Sequence, residues 1–268
     1  MKKSIKYIYS VLGIFLISFN IKALTLEGEY VQGGIVLGKL DEKAIVYLDN
    51  NLIPVDQNGY FIFGFKRKHD SHSVLKFVYE KGNTLDKKIN VAKRKYIVQK
   101  INRLNKDKVT PPNKFYERIK EESKLIKNAK NFQVIEAYYK KGFIKPTEGI
   151  VTGVYGSQRI LNGKPKRPHY GLDIANKRGT EIISTSDGLV VLAEKDLYFS
   201  GGTIIIAHGQ GLTTSYLHLS LITVKVGDLI KQGEKIGEIG STGRTTGPHL
   251  HWGMEIRGIR VDPQLLIN

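Results

Sequence analysis

A mainly β fold is predicted: a small antiparallel sandwich-like unit first, a helical linker, and a second antiparallel β unit last. Three observations carry the prediction. Residues 24 to about 100 alternate apolar and polar side chains between turn-forming dipeptides. Residues 146–268 return to β-prone segments rich in glycine. Only the stretch between them, 106–145, has helical spacing.

Composition narrows the function before any motif is read. The chain has 268 residues, 41% of them apolar, enough to bury a real core. Cysteine is absent, which excludes disulfides, a thiol nucleophile and Cys-based metal sites. The net charge is +17; four lysines and no acid lie in the first 23 residues, leaving +13 for the rest. That excess suits a polyanionic surface, but the basic residues form no single patch in sequence, and no nucleic-acid partner is expected.

Residues 1–23 read as an export signal. Lys2, Lys3 and Lys6 precede a mostly apolar run from Ile8 to Phe19, too short for a comfortable membrane span of about 20 apolar residues. Cleavage after Ala23 is expected, with an uncleaved anchor as the alternative. Either way the rest of the chain lies outside the cytoplasm, in the periplasm or secreted, with no stable membrane insertion once the signal is removed.

Residues 24–105 follow as the first β unit. Six or seven short strands are expected, punctuated at Asn50-Asn51, Asn58-Gly59 and Lys81-Gly82-Asn83. His69 and His72, in the charged turn "KRKHDSH", are read as solvated loop residues. In residues 106–145, "KDKVTPPNKF" is a linker and "NKFYERIKEESKLIKNAKNFQVIEAYY" has helical spacing. Phe115, Ile119, Leu125 and Ile126 form its apolar stripe, Asn113 caps it, and Glu117, Glu121 and Glu122 favour its early turns. It is expected to pack on a neighbouring domain.

Residues 146–268 hold five of the seven histidines. Three clusters stand out: "RPHYGLDIA" with His169 and Asp173, "TTSYLHLS" with His218, and "GSTGRTTGPHLHWGMEI" with His249 and His251. The His-Leu-His triplet opens a β-prone run. Residues two apart on a strand share a face, with Cβ atoms roughly 6–7 Å apart. The pair can therefore hold one ion together, or one histidine can bind it while the other reaches its water. Residues four apart on an extended strand lie about 13 Å apart, so His169 and Asp173 meet only across a bend, which Gly171 permits. Two histidines and one aspartate leave a fourth position open, the pattern of a catalytic rather than a structural zinc site, with two histidines to spare for proton transfer. His208, before a Gly-x-Gly turn, is read as a strand-end residue and not a ligand. "VKVGDLIKQGEKIGEIGSTG" is similar to the hairpins of biotinyl and lipoyl carrier domains without their lysine-bearing turn, and is expected to be a β-hairpin only.

"HYGLDIA", "YLHLS" and "GSTGRTTGPHLHWG" together resemble the three signature motifs of the lysostaphin/LytM-type zinc metallopeptidases, over about residues 146–263. The resemblance implies an antiparallel β metallopeptidase domain at 146–268 with one Zn²⁺ in a groove. It implies His169, Asp173 and His251 as metal ligands and His218 and His249 as the catalytic pair. His249 is the expected general base and His218 the expected stabiliser of the oxyanion, roles that can be exchanged. The implied activity is hydrolysis of peptide crosslinks in peptidoglycan, whose peptide stems are the expected partner. The alternatives are a non-catalytic activator of cell-wall amidases and a zinc peptidase acting on proteins. "HWGMEI" departs from the family's frequent His-Phe-Glu-Val at the groove wall.

Overall fold

The computed structural model describes residues 24–267; the expected export signal lies outside the described residues. The chain is mainly β. Strands β1 (Leu24–Gly28), β2 (Ile35–Leu40) and β5 (Tyr60–Gly64) form one antiparallel sheet. Strands β3 (Ala44–Leu48), β4 (Asn51–Ile53), β6 (His72–Tyr79) and β7 (Thr84–Asn90) form a second. The two share a core of Val36, Phe61, Phe63, Val46, Leu48, Leu75, Phe77 and Ile89. The β3–β4 hairpin turns one residue earlier than expected, on Asp49 and Asn50, both at positive φ, which matches the right-handed twist of its strands.

The run "FIFGF" has no polar alternation, and the packing explains why. Phe61 and Phe63 point into the sandwich, while Ile62 and Ile35 join the core of the C-terminal sheet. A strand buried on both faces reads as a continuous apolar run. Arg257 clamps the same contact by donating to the carbonyls of Ile62 and Gln210, both at 2.7 Å.

Strand β8 (Val98–Ile101), expected within the first unit, instead pairs in parallel with β10 (Gln158–Leu161), which also pairs with β11 (Lys164–Pro165). A one-turn helix, α1 (Lys106–Val109), interrupts the expected linker; the Asn105 side chain caps it by accepting from the Asp107 N–H. The main helix, α2, spans only Tyr116–Lys130. Asn113 does not cap it: that residue opens a 3-10 turn, and no side chain caps α2. Leu125 is exposed rather than on the apolar stripe; Ile126 and Ala129 make the contact, against Leu192, Leu197 and Ile205. Beyond Lys130 the helical spacing is overridden. Ala137, Tyr139 and Phe143 are drawn into the main core, and Tyr139 donates to Gln210 Oε1 at 2.6 Å.

The C-terminal sheet runs, in order, through β17 (Leu229–Ile230), β14 (Gly188–Leu197), β15 (Gly201–Gly209), β16 (Leu212–Ile222), β19 (His249–Ile256), β12 (Leu172–Ala175) and β9 (Ile150–Gly153). Strand β18 (Lys235–Ile239) pairs with β16 and with β13 (Glu181–Ile183), and β20 (Ile259–Val261) pairs with β19. The expected hairpin at 224–243 is therefore not one: β17 and β18 pair with different strands. Trp252, Leu250, Met254, Ile256 and Tyr216 fill the core beneath this sheet. No helix among the described residues is long and apolar enough to cross a membrane.

Candidate metal centre

Strand β19 supplies the first pair of residues. Its burial alternates: Leu250, Trp252, Met254 and Ile256 face the core, so His249 and His251 share the opposite face. Strand β12 lies beside it, with Asp173 directly opposite His251. The cross-strand register thus delivers the carboxylate. His169 precedes β12 and is brought back by the bend between them, its N–H donating to the Ser157 carbonyl at 2.8 Å.

Gly171 occupies that bend, for a different reason than the sequence suggests. Its φ lies outside the left-handed region; what it provides is room. A Cβ there would come within 2.7 Å of the His251 ring and 2.6 Å of the Trp252 carbonyl. Gly153 does the same for Asp173, whose Oδ2 would lie 2.5 Å from an added Cβ.

The structure brings His169, Asp173 and His251 together. His169 Nε2 is 2.9 Å from His251 Nδ1, and both approach Asp173 Oδ1, at 3.0 and 2.8 Å. Among the described residues this is the group that can hold a metal ion. The donor set fits zinc: two imidazole nitrogens and one carboxylate oxygen, with a fourth position left over. His169 Nδ1–H donates to the Val154 carbonyl at 3.0 Å, which fixes its tautomer. In the neutral ring Nε2 and Asp173 Oδ1 then meet as two lone pairs at 3.0 Å, a contact that a cation between them makes favourable.

Electrostatics agrees. Burial alone would push the Asp173 carboxyl up; the facing rings of His169 and His251 reverse that and hold it well below the usual range. Burial pushes His251 down to about 4 despite Asp173, so at neutral pH it offers a lone pair. Asp173 Oδ2 is held by Arg159, a residue that sequence reasoning missed. No local pattern marks Arg159; only the approach of β10 to β12 brings it there.

His218 and His249 stand beside this group, their ring centroids 4.9 Å apart. His249 Nε2 lies 4.0 Å from Asp173 Oδ1. His218 sits in a bulge: Gly202 pairs with Leu219 and Thr203 with Leu217, so His218 is the extra residue, at φ 70°. The bulge re-aims its ring. Both rings are oriented by carbonyls: His218 Nδ1–H donates to Thr242 at 2.8 Å, and His249 Nδ1–H donates to Gly247 at 2.9 Å. Burial, with His249 and His251 adding to it, pushes His218 down to about 3. Neither Nε2 therefore carries a hydrogen in the neutral ring.

The remaining histidines lie elsewhere. His208 is fully buried, donating from Nδ1 to the Asp187 carbonyl at 2.6 Å and accepting at Nε2 from Thr214 at 2.7 Å. His72 opens β6 and is exposed. His69 is not a solvated loop residue: it packs on Phe65 and meets Ser73 Oγ at 2.7 Å.

The centre opens into a groove of about 640 Å³. Strand β19 contributes Gly253, Met254 and Glu255 to its wall, and α2 contributes Ile119, Ser123 and Ile126. Lys130 of α2 pairs with Glu255 at 2.8 Å, seating the helix against the groove.

Comparison with known proteins adds to this geometry. Residues 167–263 match the model of Peptidase family M23. The chain is 45% identical over 102 residues to the peptidoglycan DD-endopeptidase ShyA of Vibrio cholerae, covering 37% of this chain and 24% of that protein. It is 39% identical over 97 residues to the DD-carboxypeptidase/endopeptidase Mpg of Neisseria meningitidis, covering 36% of this chain and 22% of that protein. The matched segment thus spans about a quarter of these relatives. A peptidase M23 crystal structure from Pseudomonas aeruginosa superposes with a TM-score of 0.66 at 24% identity, over 89% of this chain and 95% of that one, a likeness of fold.

Proposed function

We propose, with the peptidase family M23 domain at residues 167–263 as premise, that this chain is a zinc-dependent endopeptidase that hydrolyses peptide crosslinks of peptidoglycan outside the cytoplasm. The observation that carries the reading is the convergence of His169, Asp173 and His251 on one point, with two further oriented imidazoles beside it. The relatives' activity on peptidoglycan supports the substrate class, and their DD-endopeptidase names favour the direct D,D-crosslink.

His169, Asp173 and His251 would hold Zn²⁺, whose chemistry when bound is Lewis acidity toward water and toward the scissile carbonyl. The chain's own groups do the rest. His249 Nε2, a lone pair while the Gly247 carbonyl holds Nδ1–H, accepts the proton of the attacking water and returns it to the leaving amine. His218 is the expected stabiliser of the oxyanion. With Nδ1–H committed to Thr242 and the ring neutral, its Nε2 at rest accepts a hydrogen bond rather than donating one. It orients the water, and stabilises the oxyanion only while it carries a proton. Arg159 holds Asp173 Oδ2 and so fixes the carboxylate in place.

The test uses the zinc-loaded chain from Leu24 with purified sacculi, the products separated and identified by mass. Crosslinked dimers should fall and monomers rise, and His249→Ala should abolish this while retaining zinc. Unchanged muropeptides refute the reading; a His249→Ala variant that cleaves at near wild-type rate refutes His249 as the base.

A further inference from the structure

The groove is strongly cationic. Lys130, Arg159, Lys166, Arg167, Arg244 and Arg260 line it, and Glu255 is the carboxylate among its lining residues. Three of these cations are already paired: Lys130 and Arg260 with Glu255, at 2.8 and 3.5 Å, and Arg159 with Asp173. Arg244 is different. Its guanidinium stacks over Phe199 at 4.8 Å and makes one long hydrogen bond, Nη1 to the Lys108 carbonyl at 3.5 Å. Among the described residues it meets no carboxylate. Burial and the nearby charge of Arg159 both disfavour its cation. A half-buried guanidinium with donors to spare and a second cation beside it is costly unless an anion joins it.

Its position says what that anion belongs to. Arg244 lies in the loop between β18 and β19, the loop that supplies the carbonyls of Thr242 and Gly247 to the two catalytic-pair imidazoles. Its backbone N–H is anchored on the Phe199 carbonyl at 2.9 Å, so the side chain enters the groove from a fixed base. Arg244 and His218 line the same groove, so a peptide lying in it can meet both.

We infer that Arg244 binds a free carboxylate of the peptide stem, so that the groove selects stems with free carboxyls over amidated ones. The inference rests on the peptidoglycan reading for the identity of the peptide. Arg suits the role because its planar fork can take a carboxylate bidentately, while an amide offers one neutral acceptor and a donor that a guanidinium repels.

The experiment measures binding without turnover, by isothermal titration of the full chain. The ligands are an uncrosslinked disaccharide tetrapeptide and the same molecule with its side-chain carboxyls amidated. The free acid should bind about 10-fold or more tightly than the amide. Arg244→Gln should bring the ratio close to one, and Arg244→Lys should restore part of it, with Tm read in parallel. Lys225→Gln, an exposed cation absent from the groove lining, should leave the ratio unchanged. Equal affinity of the wild type for acid and amide, no binding of either, or an Arg244→Gln ratio like the wild type's overturns the inference. Should Arg244→Gln fail to fold, the wild-type and Arg244→Lys ratios decide it alone. A chain that discriminates acid from amide yet leaves sacculi uncleaved keeps this inference and loses the endopeptidase reading.

Discussion

Asp173 divides its two oxygens between two sets of partners. Oδ1 faces His169 and His251, and Oδ2 is taken by Arg159. The first set makes the proposed metal position and the second holds the carboxylate still. The two effects separate by mutation. Asp173→Ala should lose most of its zinc on dialysis, because it removes a donor atom; full occupancy would remove Asp173 from the ligand set. Arg159→Met keeps all three donors but frees the carboxylate. It should weaken zinc affinity about 10- to 100-fold, the usual effect of losing such a support, read by competition with a chromophoric chelator. Zinc binding equal to wild type would make Arg159 a bystander.

At the scale of elements, two strands and one bend make the centre, and each is tightly toleranced. Strand β19 presents His249 and His251 by simple alternation, and β12 meets it in a register that sets Asp173 against His251. His218 needs a bulge in β16, where a regular strand would turn the ring to the other face. The bend before β12 works only because Gly171 leaves space for the His251 ring. Gly171→Ala should therefore cost about 1–3 kcal/mol in urea denaturation, as overpacking of a tight contact does, and should weaken zinc binding as His251 shifts. A variant with wild-type stability and zinc affinity would show that the bend yields freely.

Across the whole molecule, the sandwich and the C-terminal sheet share a core through β2 and β5, and the segment after α2 is built into that core. His208 lies within the C-terminal unit and reports on its integrity. Burial pushes its pKa from 6.5 to about 4. Above pH 6.5 the ring is neutral in both the folded and the unfolded chain and contributes no pH dependence. As pH falls below 6.5 the unfolded chain takes up a proton that the folded chain refuses. Stability then falls by up to about 1.4 kcal/mol per pH unit, until the folded chain binds the proton too near pH 4. His208→Gln should make the slope between pH 6.5 and 4 shallower in urea melts; an unchanged slope would show that His208 is not buried neutral.

What the sequence by itself determined was whatever local periodicity and residue chemistry carry. Alternation with a period of two set the β class and put His249 and His251 on one face, because strand geometry alone dictates it. His169, Asp173 and His218 stood out through the short motifs that hold them, "HYGLDIA" and "YLHLS", and through the resemblance those motifs carry. Tertiary structure decided what depends on distant partners. It ended α2 at Lys130, since burying Tyr139 and Phe143 in the core outweighed helical spacing. It moved β8 onto β10, and through β10 placed Arg159 on Asp173. It put His218 in a bulge and left Arg244 in the groove without a carboxylate partner among the described residues. Strand pairing and side-chain convergence join residues tens of positions apart, and no short-range pattern encodes which strand will lie beside which.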